Sequence, residues 1–310
     1  MKASAPGKII LFGEHAVVYG RPAIAVPVTQ VSAQAEVSES SRPGIWIDAS
    51  DVGLHAELST LPADRPLAAL VHNLLAALGH KPYPDLQITI SSTIPIASGM
   101  GSGAAVSVAV ARAMASALGF PISDEQVSAF AYEIEKLHHG TPSGIDNTVV
   151  THSRPVFFVR GRPIETLDVG APFTIVIGDT GVPAPTKEAV SDVHKLWESD
   201  QARWDAVFDE VGKVVQSARE RIATGAWMEL GPLMIQNHRL LQQLTVSSPA
   251  LDRLVAAALE AGALGAKLSG GGRGGNMIAL AGEGTTHAIA AALKSAGSPR
   301  VIIAPVPASA

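Results

Sequence analysis

Apolar positions along the chain recur with two periods, and these divide it into strands and helices. Lys8-Ile9-Ile10-Leu11-Phe12 and Ala23 to Val28 are apolar runs of strand length, with Ala5-Pro6-Gly7 reading as a loop before the first. Leu86-Gln87-Ile88-Thr89-Ile90 alternates, which predicts a strand with one buried face. Pro66 to Leu78 has apolar residues at helical spacing behind a first-turn proline and predicts a helix. Residues 31–60 read as edge strands and loops. Val127, Phe130, Ala131, Ile134 and Leu137 recur at helical spacing, and Ser123-Asp124-Glu125-Gln126 before them has the form of a reciprocal helix cap. That helix is expected to end near Gly140.

The pattern changes beyond Pro172. Phe173 to Ile177 predicts a strand, and Thr186 to Thr224 a long amphipathic helix broken near Ser199, with Val207, Phe208, Val211, Val214, Val215 and Ala218 as its buried stripe. Helices follow over 226–244 and 249–262, then a strand from Asn276 to Ala281, a helix over 285–296 and a strand over 301–305. The expectation is an α+β protein of two lobes, 1–170 and 171–310, the second a β-α-α-β-α-β-like unit.

Composition narrows the function. Of 310 residues, 47% are hydrophobic and 16% charged, which is a folded rather than a disordered balance. The net charge of −5 comes without any basic cluster, so nucleic acid is not an expected partner. The chain has no cysteine, which excludes disulfides, thiolate metal sites and cysteine nucleophiles. The N-terminus mixes lysine and glutamate too closely for a secretory leader, and the longest uncharged apolar stretch is stopped by Arg112. A cytoplasmic protein with no membrane partner is expected; a homodimer remains open.

The densest chemical signal is Ser98-Gly99-Met100-Gly101-Ser102-Gly103, which follows Pro95 and runs into an alanine- and valine-rich segment. A helix starting near Ser102 would point its free N–H groups and positive dipole end at the loop, forming an anion site of phosphate size. No lysine follows Gly103, so this is not a Walker A loop. Gly99, Gly101 and Ala104 formally match a dinucleotide fingerprint, but the region where its acidic residue should end a second strand reads as a turn.

Three further groups carry candidate chemistry. Lys8, Glu14 and His15 lie close together between apolar runs, and ionised groups in such a setting need partners. Asp146 follows the turn Pro142-Ser143-Gly144 and precedes a β-like run, Thr148-Val149-Val150; it is either a fixed general base or ordinary turn chemistry. Glu133 and Glu135 flank the apolar stripe of their helix, and periodicity does not choose between them. Adjacent His138 and His139 face different ways, a poor arrangement for a shared metal, and read as solvated or helix-end residues. A further glycine stretch, Lys267-Leu268-Ser269-Gly270-Gly271-Gly272-Arg273-Gly274-Gly275, runs into the strand at Asn276.

Ala5-Pro6-Gly7-Lys8 with Gly13-Glu14-His15, then Pro95 to Ala105, then Lys267 to Gly275, resemble the three signature motifs of the small-molecule kinases related to galactokinase, homoserine kinase, mevalonate kinase and phosphomevalonate kinase. They occur in that family's order and span most of the chain. Glu14 to Gly20 and His139 to Asn147 are most similar to the mevalonate kinase branch. The resemblance implies an α+β, two-lobed small-molecule kinase fold with a ribosomal-protein-S5-like N-terminal lobe, a ferredoxin-like C-terminal lobe and the active site between them. It implies ATP and Mg²⁺ as cofactors and mevalonate, phosphorylated on its C5 hydroxyl, as substrate.

By the same resemblance, Asp146 matches the base and Lys8 the lysine beside it. Glu135 matches the Mg²⁺ carboxylate. Pro95, Ser98, Gly99, Met100, Gly101, Ser102, Gly103 and Ala104 match the ATP-phosphate loop. Glu14, His15, Gly271 and Gly272 match positions near the substrate. Gly103 stands where the family usually has the Mg²⁺-ligand serine, which leaves that place to Ser102 or water. Arg273 replaces a small residue; it reaches either a phosphate, the substrate carboxylate or solvent. For the mevalonate carboxylate, Arg160 is the expected cation, with Arg154 second. Phosphomevalonate kinase, the related diphosphomevalonate decarboxylase and a non-catalytic sensor share the fold, but the few basic residues near the motifs favour a less anionic acceptor.

Overall fold

The computed structural model describes every residue except 80, 81, 96, 97, 140, 141, 164 and 310, and excludes the side chains of His138 and His139. The expected helix end at Gly140 and the reading of the two histidines as solvated lie outside the described residues. The chain divides into two compact units, and neither is a single span. The first comprises Met1–Lys8, Pro27–Pro95 and Gly101–Ser153. The second comprises Ile9–Val26, residues up to Met100 that follow Pro95, and Arg154–Ala310. Residues 9–26 group with the C-terminal part.

In the first unit, β1 (Lys2–Phe12) and β2 (Ala23–Glu39) enter a sheet with β3 (Ile45–Ala49), β4 (Leu54–Glu57) and β5 (Leu86–Ser92). Its order is β4-β3-β5-β2, with β1 also paired to β2. β5 runs parallel to β3 and antiparallel to β2. The loop expected at Ala5-Pro6-Gly7 is instead continuous strand. Proline removes one backbone donor, and a strand tolerates that where the position has no ladder bond to make.

Helices α1 (Pro66–Ala77), α2 (Ser102–Ala117), α3 (Asp124–His139) and α4 (Ile145–His152) pack together, with α2 against β5 and the other three. That position explains the apolar composition of α2, since a helix enclosed on most sides tolerates a charge only where it finds a partner. Ala104, Ala105, Val108, Ala109, Val110, Ala111, Ala113 and Met114 are all buried. Arg112 is satisfied by Asp124 Oδ1 at 2.7 Å and the Thr151 carbonyl at 2.6 Å. The reciprocal cap of α3 forms as predicted: Ser123 N–H donates to Gln126 Oε1 at 2.8 Å and Gln126 N–H to Ser123 Oγ at 3.3 Å.

In the second unit, the first residues of β2 pair antiparallel with β6 (Val156–Phe158), which pairs with β7 (Glu165–Thr166). β8 (Phe173–Asp179), β9 (Gly265–Ser269), β10 (Asn276–Ala281) and β11 (Arg300–Val306) form an antiparallel sheet in the order β11-β8-β10-β9. Between β8 and β9 come α5 (Thr186–Ser199), α6 (Gln201–Ala223), α7 (Leu230–Gln243) and α8 (Pro249–Glu260); α9 (Thr286–Ser295) precedes β11. The expected break near Ser199 is real: Asp200 ends α5 and caps α6 by accepting from the Arg203 N–H. Lys267, Leu268 and Ser269 lie on β9, so the third glycine stretch is the turn of the β9–β10 hairpin.

Candidate functional site

Within the first unit, Lys8 Nζ lies 3.0 Å from Asp146 Oδ1. The lysine side chain is 4% exposed and the aspartate 28%, so the ammonium is sealed behind a carboxylate that still reaches solvent. The β-like run after Asp146 is in fact α4, with Asp146 in its first turn. Gly144 takes a left-handed conformation at the helix start, and Asn147, the residue after the aspartate, donates from Nδ2 to Ser128 Oγ on α3 at 2.8 Å. Asp146 therefore sits in the first turn of a helix that its neighbour Asn147 anchors to α3 by a buried side-chain bond.

Burial separates the two glutamates that periodicity left equal. Glu133 is exposed and pairs with Lys136 at 2.7 Å. Glu135 is buried. Burial first, then the charge of Asp146, raises its pKa to about 7, against an opposing pull from Lys8. Two carboxylates share one ammonium here, an arrangement that a further cation would relieve. Among the described residues no cluster of three or more metal-ligating side chains exists. Mg²⁺ suits such a sparse site, since it commonly takes one or two protein oxygens and keeps waters and phosphates for the rest.

Gly101 joins this cluster to the glycine loop. It precedes α2 with φ +72°, and a Cβ there would lie 2.9 Å from Lys8 Cγ and 3.5 Å from Asp146 Oδ2. The first turn of α2 carries no acidic residue, and its earliest helical bond is Ala105 N–H to the Gly101 carbonyl at 2.9 Å. The N–H groups of Ser102, Gly103 and Ala104 thus precede the ladder and point along the positive end of the helix. Of the loop's earlier residues, Ser98 and Met100 are buried, and Asn276 Nδ2 donates to the Ser98 carbonyl at 2.6 Å.

The second unit holds Glu14, His15 and the hairpin turn. Glu14 and Lys267 form a fully buried ion pair, and Lys267 Nζ also donates to the Leu268 carbonyl at 2.6 Å. Lys267 escaped the sequence reading as Glu14's partner; its one local signal was a lysine inside the apolar run of a strand. His15 is the centre of a γ-turn: Ala16 N–H donates to the Glu14 carbonyl at 2.7 Å, and His15 has φ 61° and ψ −49°. His15 Nε2 lies 3.0 Å from the Gly271 carbonyl. A carbonyl only accepts, so Nε2 carries the proton and Nδ1 is left as an acceptor. Burial lowers the His15 pKa to about 4, offset in part by the Gly271 bond and reinforced by the charge of Arg273.

Arg160 lies beyond β6, exposed, with Nη1 donating to the Val18 carbonyl at 3.3 Å; Arg154 is also exposed. Arg273 turns neither to solvent alone nor to an open anion site. Its Nη1 donates to Asp192 Oδ2 on α5 at 2.6 Å.

The chain is a small-molecule phosphotransferase of the GHMP kinase class. Residues 67–154 match the GHMP kinases N terminal domain and residues 218–299 match GHMP kinases C terminal. The chain has the two-lobed α+β fold of that class. It is 37% identical to the mevalonate kinase of Thermococcus sibiricus over 97% of this chain and 94% of that one. The Pyrococcus furiosus mevalonate kinase matches at the same identity and coverage. The crystal structure of L. major mevalonate kinase in complex with R-mevalonate superposes with a TM-score of 0.86 at 30% identity, covering 100% of this chain and 97% of that one. The chain belongs to the mevalonate kinase family, and is an enzyme of it.

Proposed function

We propose that the chain transfers the γ-phosphoryl group of ATP to the C5 hydroxyl of mevalonate, with Asp146 as base and Lys8 as the charge-neutralising cation. The observation that carries this reading is the 3.0 Å Lys8–Asp146 pair backed against Gly101 at the start of α2. Phosphoryl transfer asks a protein mainly for position and charge compensation. The N–H groups of Ser102, Gly103 and Ala104 hold phosphate oxygens. Asp146 takes the hydroxyl proton as the C5 oxygen bonds to the γ-phosphorus and the bond to the β-phosphate oxygen breaks, releasing ADP. Lys8 offsets the negative charge that builds on the transferring group.

Glu135, with Ser102 or water, would hold Mg²⁺, which supplies charge neutralisation at the phosphates when bound. His15 is the proposed polar contact for mevalonate, through its Nδ1 lone pair. Glu14 serves it indirectly, through its buried ion pair with Lys267. Gly271 and Gly272 line the same proposed contact from the hairpin turn. Arg160 remains a proposed partner for the substrate carboxylate.

A coupled ADP-release assay with mevalonate, phosphomevalonate, homoserine and galactose tests the reading. Turnover confined to mevalonate supports it, and preference for another acceptor refutes it.

A further inference from the structure

The third glycine stretch contains one residue that the backbone disfavours. Arg273 has φ 61°, a left-handed conformation that glycine adopts freely and that costs other residues about 1–2 kcal/mol. Its neighbours fix it there. Arg273 N–H donates to the Val246 carbonyl at 2.7 Å, its Nε reaches the Thr245 carbonyl at 3.4 Å, and Nη1 is on Asp192 Oδ2 at 2.6 Å. Asp192 also receives Lys195 Nζ at 2.9 Å, so the carboxylate has partners on both sides.

The same helix meets the same turn a second time. A Cβ on Gly271 would lie 2.6 Å from Thr186 Oγ1, at the first residue of α5. Gly271 is the residue whose carbonyl receives His15 Nε2. The turn is thus pressed on α5 at Gly271 and pinned to it two residues later by the Arg273 guanidinium. His15, itself strained in its γ-turn, depends on that carbonyl for its tautomer and orientation.

We propose that Arg273 is a positioning residue for the mevalonate contact: its clamp on Asp192 holds the Gly271 carbonyl where it keeps the His15 Nδ1 lone pair free. This rests on the proposed role of His15. A strained arginine in a glycine turn has a use only if its side chain does something glycine could not, and the contacts give that use.

Arg273→Gly removes the clamp while giving the backbone the residue its φ favours, so the variant is expected to fold. Its Michaelis constant for mevalonate should rise about ten-fold, the scale of one charged hydrogen bond, while that for ATP stays within about two-fold. Asp192→Asn should give the same split, the double variant should be no worse than either single one, and Arg273→Lys should recover part of the loss. Imidazole ¹⁵N spectra, which need no substrate, should show the Nε2–H tautomer of His15 giving way to a mixture in Arg273→Gly. Unchanged Michaelis constants with an unchanged tautomer would overturn the proposal. So would a rise in Arg273→Gly that Asp192→Asn lacks, since the arginine would then act on the ligand directly. If the unaltered enzyme does not phosphorylate mevalonate, the functional reading fails instead, and the spectra still decide the clamp.

Discussion

Gly101 stands so close behind Lys8 that the smallest side chain would collide with it: a Cβ would come within 2.9 Å of Lys8 Cγ and 3.3 Å of Lys8 Cε. The lysine is already sealed against Asp146, so it has little room to give. Gly101→Ala also forces a left-handed alanine at φ +72°. The backbone term is about 1–2 kcal/mol, and moving Lys8 adds to it. The variant should melt several degrees lower and lose at least ten-fold in kcat. Thermal denaturation and steady-state kinetics check both.

Asp146→Asn separates chemistry from binding. A general base contributes about 10²–10⁴ in rate, so kcat should fall on that scale while ATP affinity, read by equilibrium titration, stays near its original value. Stability should fall too, because Lys8, 4% exposed, would face an amide instead of a carboxylate. Retained turnover would remove Asp146 from the role of base.

His15 gives stability a predicted pH dependence. Its pKa is about 4 in the folded chain and near 6.5 when unfolded. Between those values the unfolded state binds the proton and the folded state does not, so the contribution of His15 rises with pH from 4 to 6.5 and is lost on acidification through the same window, while Glu135, whose pKa is raised to about 7, contributes in the opposite sense. The swing from His15 is about 3 kcal/mol. His238 is also shifted down, chiefly by burial, and acts in the same direction as His15. Taken from pH 7 to pH 5 in urea unfolding, His15→Gln should lose less stability, or gain more, than the unaltered chain; an equal change in both would exclude His15 as a source.

Local patterns in the sequence carried the elements whose cause is local. The Ser123–Gln126 cap and the apolar α2 could be read directly, since capping and burial leave their marks within a few residues. α4 was misread as strand because Thr148-Val149-Val150-Thr151 is a β-branched run in a helix of eight residues, too short for its period to show. Pro6 and Gly7 looked like a break but sit inside β1. Glu14 with Lys267, and Arg273 with Asp192, join residues distant in the chain, and periodicity holds no information about such pairs. The choice of Glu135 over Glu133 needed the family resemblance first and burial afterwards.

Glu135→Gln tests whether the second carboxylate holds Mg²⁺. In the absence of metal, the glutamate's proton affinity is raised by burial and by Asp146, so an amide in its place removes a like-charge contact and the melting temperature should not fall. With metal, the loss of an oxygen anion should raise the Mg²⁺ concentration for half-maximal rate by about ten-fold or more, the effect expected from removing one charged ligand. Glu133→Gln, which alters only an exposed partner of Lys136, should leave that concentration where it was. Mg²⁺ titrations at fixed ATP and mevalonate distinguish the two, and calorimetry of Mg²⁺–ADP binding gives a measure independent of turnover. An unchanged Mg²⁺ requirement in Glu135→Gln would move the metal to Ser102, Asp146 or the phosphates alone.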